Sequence, residues 1–163
     1  MEKGFVQIIF GGGRGKTSLA LGQGISAASE GKSVMIIQFL KQKQADEIGF
    51  IRRLEPEIKV FRFEKSDKSF DELSDEEKKE EIQNLKNGVN FARKILVTEE
   101  CDVLILDEIL GLLEHGIVSA EEIRSLLEAN GGNLEVILTG IYQARELWDM
   151  ADRVTDIETK KQN

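Results

Sequence analysis

Cysteine appears once in this chain, at Cys101, which excludes an internal disulfide and a multi-cysteine zinc site. Histidine is equally scarce. His115 stands alone beside Gly116 and reads as a helix-end residue, not a metal ligand. Long apolar runs are missing: none approaches the ~20 residues that a membrane span requires. The opening Met-Glu-Lys-Gly-Phe has no apolar signal-peptide segment, so the sequence reads as cytoplasmic. An excess of basic residues is missing too. With 22 bases against 30 acids the net charge is −8. That argues against nucleic acid and anionic membranes as partners, since both require a basic face. It leaves room for a small anionic ligand held by a few local positive groups.

What is present fits one soluble domain over residues 1–163, within the ~100–200 residues common for single domains. Short apolar runs at Phe5–Phe10, Ser33–Phe39, Asp102–Asp107 and Leu134–Thr139 read as buried strands. Ile58–Phe63 alternates apolar and basic residues like an edge strand, and Val154–Ile157 is a short last strand. Between them lie helical patterns. Lys16–Glu30 stops at Gly31. Ser74 and Glu77 form a capping box that opens a helix running to about Glu99, with Arg93 and Lys94 near its end. Ser119 and Glu122 repeat the box before Ile123, Leu126 and Leu127. Lys41–Leu54 holds a short helix face that Pro56 ends, Glu64–Leu73 is a polar loop, and Ala144–Ala151 is a short helix. Strands alternating with helices demand crossover connections. The expected fold class is α/β, a three-layer P-loop NTPase-like fold with a mostly parallel sheet of about six strands.

Gly11-Gly12-Gly13-Arg14-Gly15-Lys16-Thr17-Ser18 lies between the first strand and the first helix. Glycines there let backbone N–H groups wrap an anion, and the helix N-terminus adds donors and positive potential. Lys16 is placed to bridge phosphates and the Thr17 hydroxyl to reach Mg²⁺. The spacing is unusual, because the first glycine of G-x-x-x-x-G-K-[ST] would fall on Phe10. Asp107 and Glu108 end the strand Val103-Leu104-Ile105-Leu106, at the sheet edge where α/β proteins bind ligands. An acid there holds a metal, or merely complements a helix dipole; the nearby loop favours the metal.

The loop resembles the G-x-G-[KR]-G-K-T-[TS] loop of the ATP:corrinoid adenosyltransferases. Further segments resemble that family in the same order: Val34–Lys41, Asp102–Ile109, Val136–Gly140, and Leu147–Ile157 with its Ala-Asp-x-Val-[ST]-[DE] signature. The resemblance spans nearly the whole chain. It implies attack by a reduced Co(I) corrinoid on the 5′ carbon of ATP with release of triphosphate, the nucleotide lying along the loop in reverse of the ordinary P-loop direction. It implies Lys16, Thr17 and Glu108 as catalytic residues. Gly11, Gly12, Gly13, Arg14, Gly15, Lys16, Thr17 and Ser18 would hold the ATP phosphates, and Thr17, Asp107 and Glu108 the Mg²⁺. A corrinoid substrate, an electron-donor protein and a second copy in a homodimer are the implied partners.

Some positions differ from the family. Ile141 follows Gly140 where an arginine is usual, and Lys65–Phe70 replaces an aromatic-rich stretch. The chain ends at Asn163 without the family's usual extension, and lacks an N-terminal segment that some members carry. Two other readings follow: a P-loop ATPase or kinase, and a non-catalytic ATP-binding paralogue. Phe61, Phe63 and Phe70 could line a corrinoid face, but sheet packing explains the first two more cheaply. Trp148 and Tyr142 flank the last helix and either could be packing; of the two, Tyr142, just beyond a strand end, is the expected ligand contact. Cys101 is expected to be an inert small hydrophobe.

Overall fold

In the computed structural model, described over residues 4–40 and 51–163, six parallel strands form one sheet. They are β1 (Val6–Phe10), β2 (Val34–Gln38), β3 (Ile58–Arg62), β4 (Val103–Asp107), β5 (Glu135–Gly140) and β6 (Arg153–Asp156), in the order β3-β2-β4-β5-β1-β6. The helices are α1 (Lys16–Ser29), α2 (Asp75–Thr98), α3 (Ile109–Glu114) and α4 (Ala120–Glu128). The fold is the expected three-layer α/β, with every strand pair parallel.

Alternation along the strands divides the core. Ile9, Val34, Ile36, Val60, Ile105 and Ile137 point to the α1 face, where they meet Ala20. Ile8, Ile37, Leu104, Leu106 and Leu138 point to the other face. There Leu85, Val89 and Ile95 of α2, Leu110 of α3 and Leu126 of α4 cover them. Both faces of the central strands are covered, which is why those strands read as unbroken apolar runs.

The capping signals hold. Ser74 accepts the Glu77 N–H while Glu77 accepts the Ser74 N–H. Ser119 accepts the Glu122 N–H. Arg93 serves another purpose than the dipole: it reaches sideways to Ser125 on α4. Two segments differ from expectation. Ala144–Ala151 forms no α-helix; Arg145–Met150 winds as a 3₁₀ turn entered through Ala144 at φ 52°, closed by Leu147 N–H to Ala144 O and Ala151 N–H to Trp148 O. Ile109–Glu114, too short to show a period, is helical. Of the helix expected in 41–54, residues 41–50 lie outside the described residues, and Arg52–Leu54 is a 3₁₀ turn.

Phe61 and Phe63 pack on Phe91 of α2, with ring centroids 4.9 and 5.5 Å away. The polar loop after β3 is tied to the same helix. Buried Glu81 accepts the N–H groups of Lys65 and Ser66. Cys101 is buried and its thiol is pushed up to about 12 by desolvation, as an inert residue requires. Glu64, with 6% of its side chain exposed, accepts from Arg62 at 3.0 Å. Burial pushes its carboxyl up to about 6, with Arg62 opposing. The folded chain therefore favours protonated Glu64. That contribution is complete below the ordinary value near 4.5 and is lost as pH rises through 6. The stability difference between wild type and Glu64→Gln should fall by about 1–2 kcal/mol from pH 4.5 to pH 7. Denaturant titrations across that range measure it.

Candidate nucleotide site

The loop between β1 and α1 lies at the C-terminal edge of the sheet. Gly11 and Gly15 adopt φ of 127° and 104°, conformations that L side chains strain to reach. Gly15 is also the N-cap of α1, and no side chain caps that helix. Its first turn carries no acid, whereas α2 and α4 each have a serine cap and acids in the first turn. The N–H groups and positive end of α1 are thus left for a ligand. Lys16 Nζ lies 2.9 Å from Gly13 O, folded over the loop. Ser18 is exposed and lines a shallow groove along α1 with Leu19, Gly22 and Gln23.

Asp107 ends β4 on the α1 side, with 1% of its surface exposed. Its Oδ1 accepts from Thr17 Oγ1 at 2.9 Å and from Thr139 Oγ1 at 2.8 Å. Thr139, on β5, in turn accepts the Glu108 N–H at 2.9 Å. Glu108 stands at φ 64° as the N-cap of α3, a strained setting for a non-glycine residue beside a site. Its carboxylate turns toward α3: a Cβ added at Gly111 would lie 3.7 Å from Oε2. Thr17 and Asp107 are therefore brought together as expected, and Glu108 joins them through its backbone. Hard oxygen donors of this kind suit Mg²⁺, which takes one or two protein oxygens and keeps its waters. Among the described residues no cluster of three His, Cys, Asp or Glu forms a metal cage.

Sequence reasoning missed Thr139. Its signal was present, since it is the polar residue at the end of the apolar Val136-Ile137-Leu138. The segment after β6 was missed as well. Gly13 N–H donates to Ile157 O at 2.9 Å and Arg14 N–H to Thr159 Oγ1 at 3.3 Å. No local pattern announces these contacts.

A cleft of about 80 Å³ is lined by Leu40, Glu64, Lys68, Phe70, Asp71 and His115. Phe70 is tilted against His115, with ring centroids 5.6 Å apart. Tyr142 donates to Glu146 Oε2 at 3.0 Å, and that bond raises its pKa. Trp148 packs on Phe10 at 5.8 Å and donates to Gln143 O. Ile141 is 60% exposed just past β5.

Residues 2–163 match the family model of the ATP:corrinoid adenosyltransferases BtuR/CobO/CobP. The chain belongs to that family. The corrinoid adenosyltransferase CobA of Salmonella typhimurium is 27% identical, covering 98% of this chain and 79% of its own. That of Escherichia coli is 26% identical over the same shares, and that of Pseudomonas aeruginosa 25%, covering 98% and 77%. A crystal structure of a KaiC-like protein from Pyrococcus horikoshii superposes with a TM-score of 0.63 at 18% identity, covering 99% of this chain and 75% of that one. At that identity it supports the three-layer α/β fold alone. Among the described residues no helix is long and apolar enough to cross a membrane.

The loop glycines differ in what surrounds them. A Cβ at Gly13 would lie 2.8 Å from Ile157 O and 2.9 Å from Thr159 N, whereas one at Gly12 meets nothing within 4 Å. Gly13→Ala should lower stability by about 1–3 kcal/mol, the usual range for overpacking. Gly12→Ala should change it by less than ~0.5 kcal/mol. Thermal denaturation without nucleotide distinguishes the two.

Proposed function

We propose that the protein transfers the 5′-deoxyadenosyl group of ATP to a reduced Co(I) corrinoid. The electron pair of Co(I) forms the bond to C5′. The C5′–O5′ bond breaks, and its pair leaves with triphosphate. The observation that supports this best is the joining of Thr17, at the uncapped start of α1, to buried Asp107 at the end of β4, within a chain of this family. The N–H groups at the uncapped start of α1 and the Lys16 ammonium would bind the phosphates. Their task is to neutralise the charge that grows on the leaving triphosphate and to hold C5′ open to attack. Mg²⁺ would be held by Thr17 and Asp107, where it would supply further charge neutralisation; Glu108, whose carboxylate turns toward α3, would have to swing toward the same edge to join them. The corrinoid brings its own nucleophile, so no side chain needs to act as one. The corrinoid would approach from the side of the cleft that Phe70 and His115 line together. An electron-donor protein, a homodimer and a cytoplasmic setting complete the proposal.

Anaerobic incubation with reduced cobalamin and Mg-ATP should give the adenosylcobalamin spectrum and an equal amount of intact triphosphate. Brisk ADP formation without corrinoid would instead establish a P-loop ATPase. Firm ATP binding with neither product would establish a non-catalytic paralogue, the reading that exposed Ile141 in place of arginine favours.

Lys16→Ala should keep its fold and lose on the order of 2–5 kcal/mol of Mg-ATP binding, as removal of one partner of a close charge contact does. Calorimetry on the folded variant measures this. Asp107→Asn should need more Mg²⁺ for half-maximal ATP binding than wild type, and Glu108→Gln tests the same role beside it. An unchanged Mg²⁺ requirement in both would remove the metal from these residues.

A further inference from the structure

β6 pairs with β1 up to Phe10 opposite Asp156. Beyond it the chain turns over the loop. Ile157 donates its N–H to Phe10 O at 2.7 Å and accepts the Gly13 N–H at 2.9 Å. Thr159 Oγ1 then accepts the Arg14 N–H at 3.3 Å. One flank of the loop is thus engaged by the chain itself. Among the described residues the opposite flank is open, for a Cβ at either Gly12 or Gly15 meets no atom of them within 4 Å.

We propose that Thr159 is a positioning residue for the nucleotide. Its hydroxyl fixes the Arg14 peptide from the closed flank, so that the open flank meets the triphosphate already shaped. This rests on the ATP reading above. A loop held in its bound form loses less conformational entropy on binding, and the difference appears as affinity. The alternative is that Thr159 competes with phosphate for the Arg14 N–H. Two observations favour positioning. The segment is anchored by β1–β6 pairing, which does not involve the loop. Gly11 and Gly13 have no room for a side chain because the segment fills that space, as a permanent contact requires.

The test measures Mg-ATP affinity by calorimetry in wild type, Thr159→Val, Thr159→Ser and Glu158→Gln. Glu158 faces Lys160 at 3.1 Å and serves as the control. Thr159→Val should weaken binding about three- to fivefold, the size of one modest hydrogen bond. Thr159→Ser should restore it, and Glu158→Gln should bind like wild type. The KM for corrinoid should not move with Thr159→Val. Unchanged or tighter binding by Thr159→Val overturns the proposal, as does equal loss in the serine variant or in Glu158→Gln. If wild type itself binds no Mg-ATP, the ATP reading fails and takes the proposal with it. Wild-type binding with an indifferent Thr159→Val overturns the positioning role alone.

Discussion

A carboxylate buried at the end of β4 organises this molecule. Asp107 is almost wholly withdrawn from water, a placement that is costly for a charge unless hydrogen bonds replace hydration. Two hydroxyls do so from different elements, Thr17 from the first turn of α1 and Thr139 from β5. The carboxylate thereby ties the helix that follows the loop to two adjacent central strands. The position of the loop over the sheet edge depends on that tie, and so does the setting of Glu108, whose N–H Thr139 receives.

The loop is then held from a second direction. The segment after β6 takes the N–H groups of Gly13 and Arg14, while the start of α1 stays uncapped. The N–H donors that remain are those at the start of α1, beside one ammonium, in a protein of net charge −8. An acidic surface disfavours polyanions, whereas the local arrangement would suit a small one. Both facts are compatible because a few ångströms of oriented donors outweigh charges spread over the surface and screened by salt.

Much of the frame is legible in local patterns of the chain. Apolar runs ended by glycine or by a polar residue mark β1, β2, β4 and β5, and serine–glutamate pairs mark the starts of α2 and α4. These signals are local and strong. The departures are local as well. α3 is only six residues long and shows no period. Ala144–Ala151 has helical composition, yet it enters through Ala144 in the left-handed region and winds as 3₁₀. Tertiary placement decided those backbones, as it does wherever a segment is too short for its own propensity to prevail.

The sequence by itself determined the layer order, the loop and its neighbouring acids, since each depends on residues close together in the chain. It also carried enough of the family pattern to point to ATP and a corrinoid. Only the tertiary structure decided how Asp107 is satisfied, because Thr17 and Thr139 lie 90 and 32 residues away from it. Only the tertiary structure brought Ile157 and Thr159 against the loop, since Arg14 and Thr159 are 145 residues apart. Such contacts leave no periodic trace. They arise from strand order, which sets β6 beside β1 and so lays the end of the chain across its beginning.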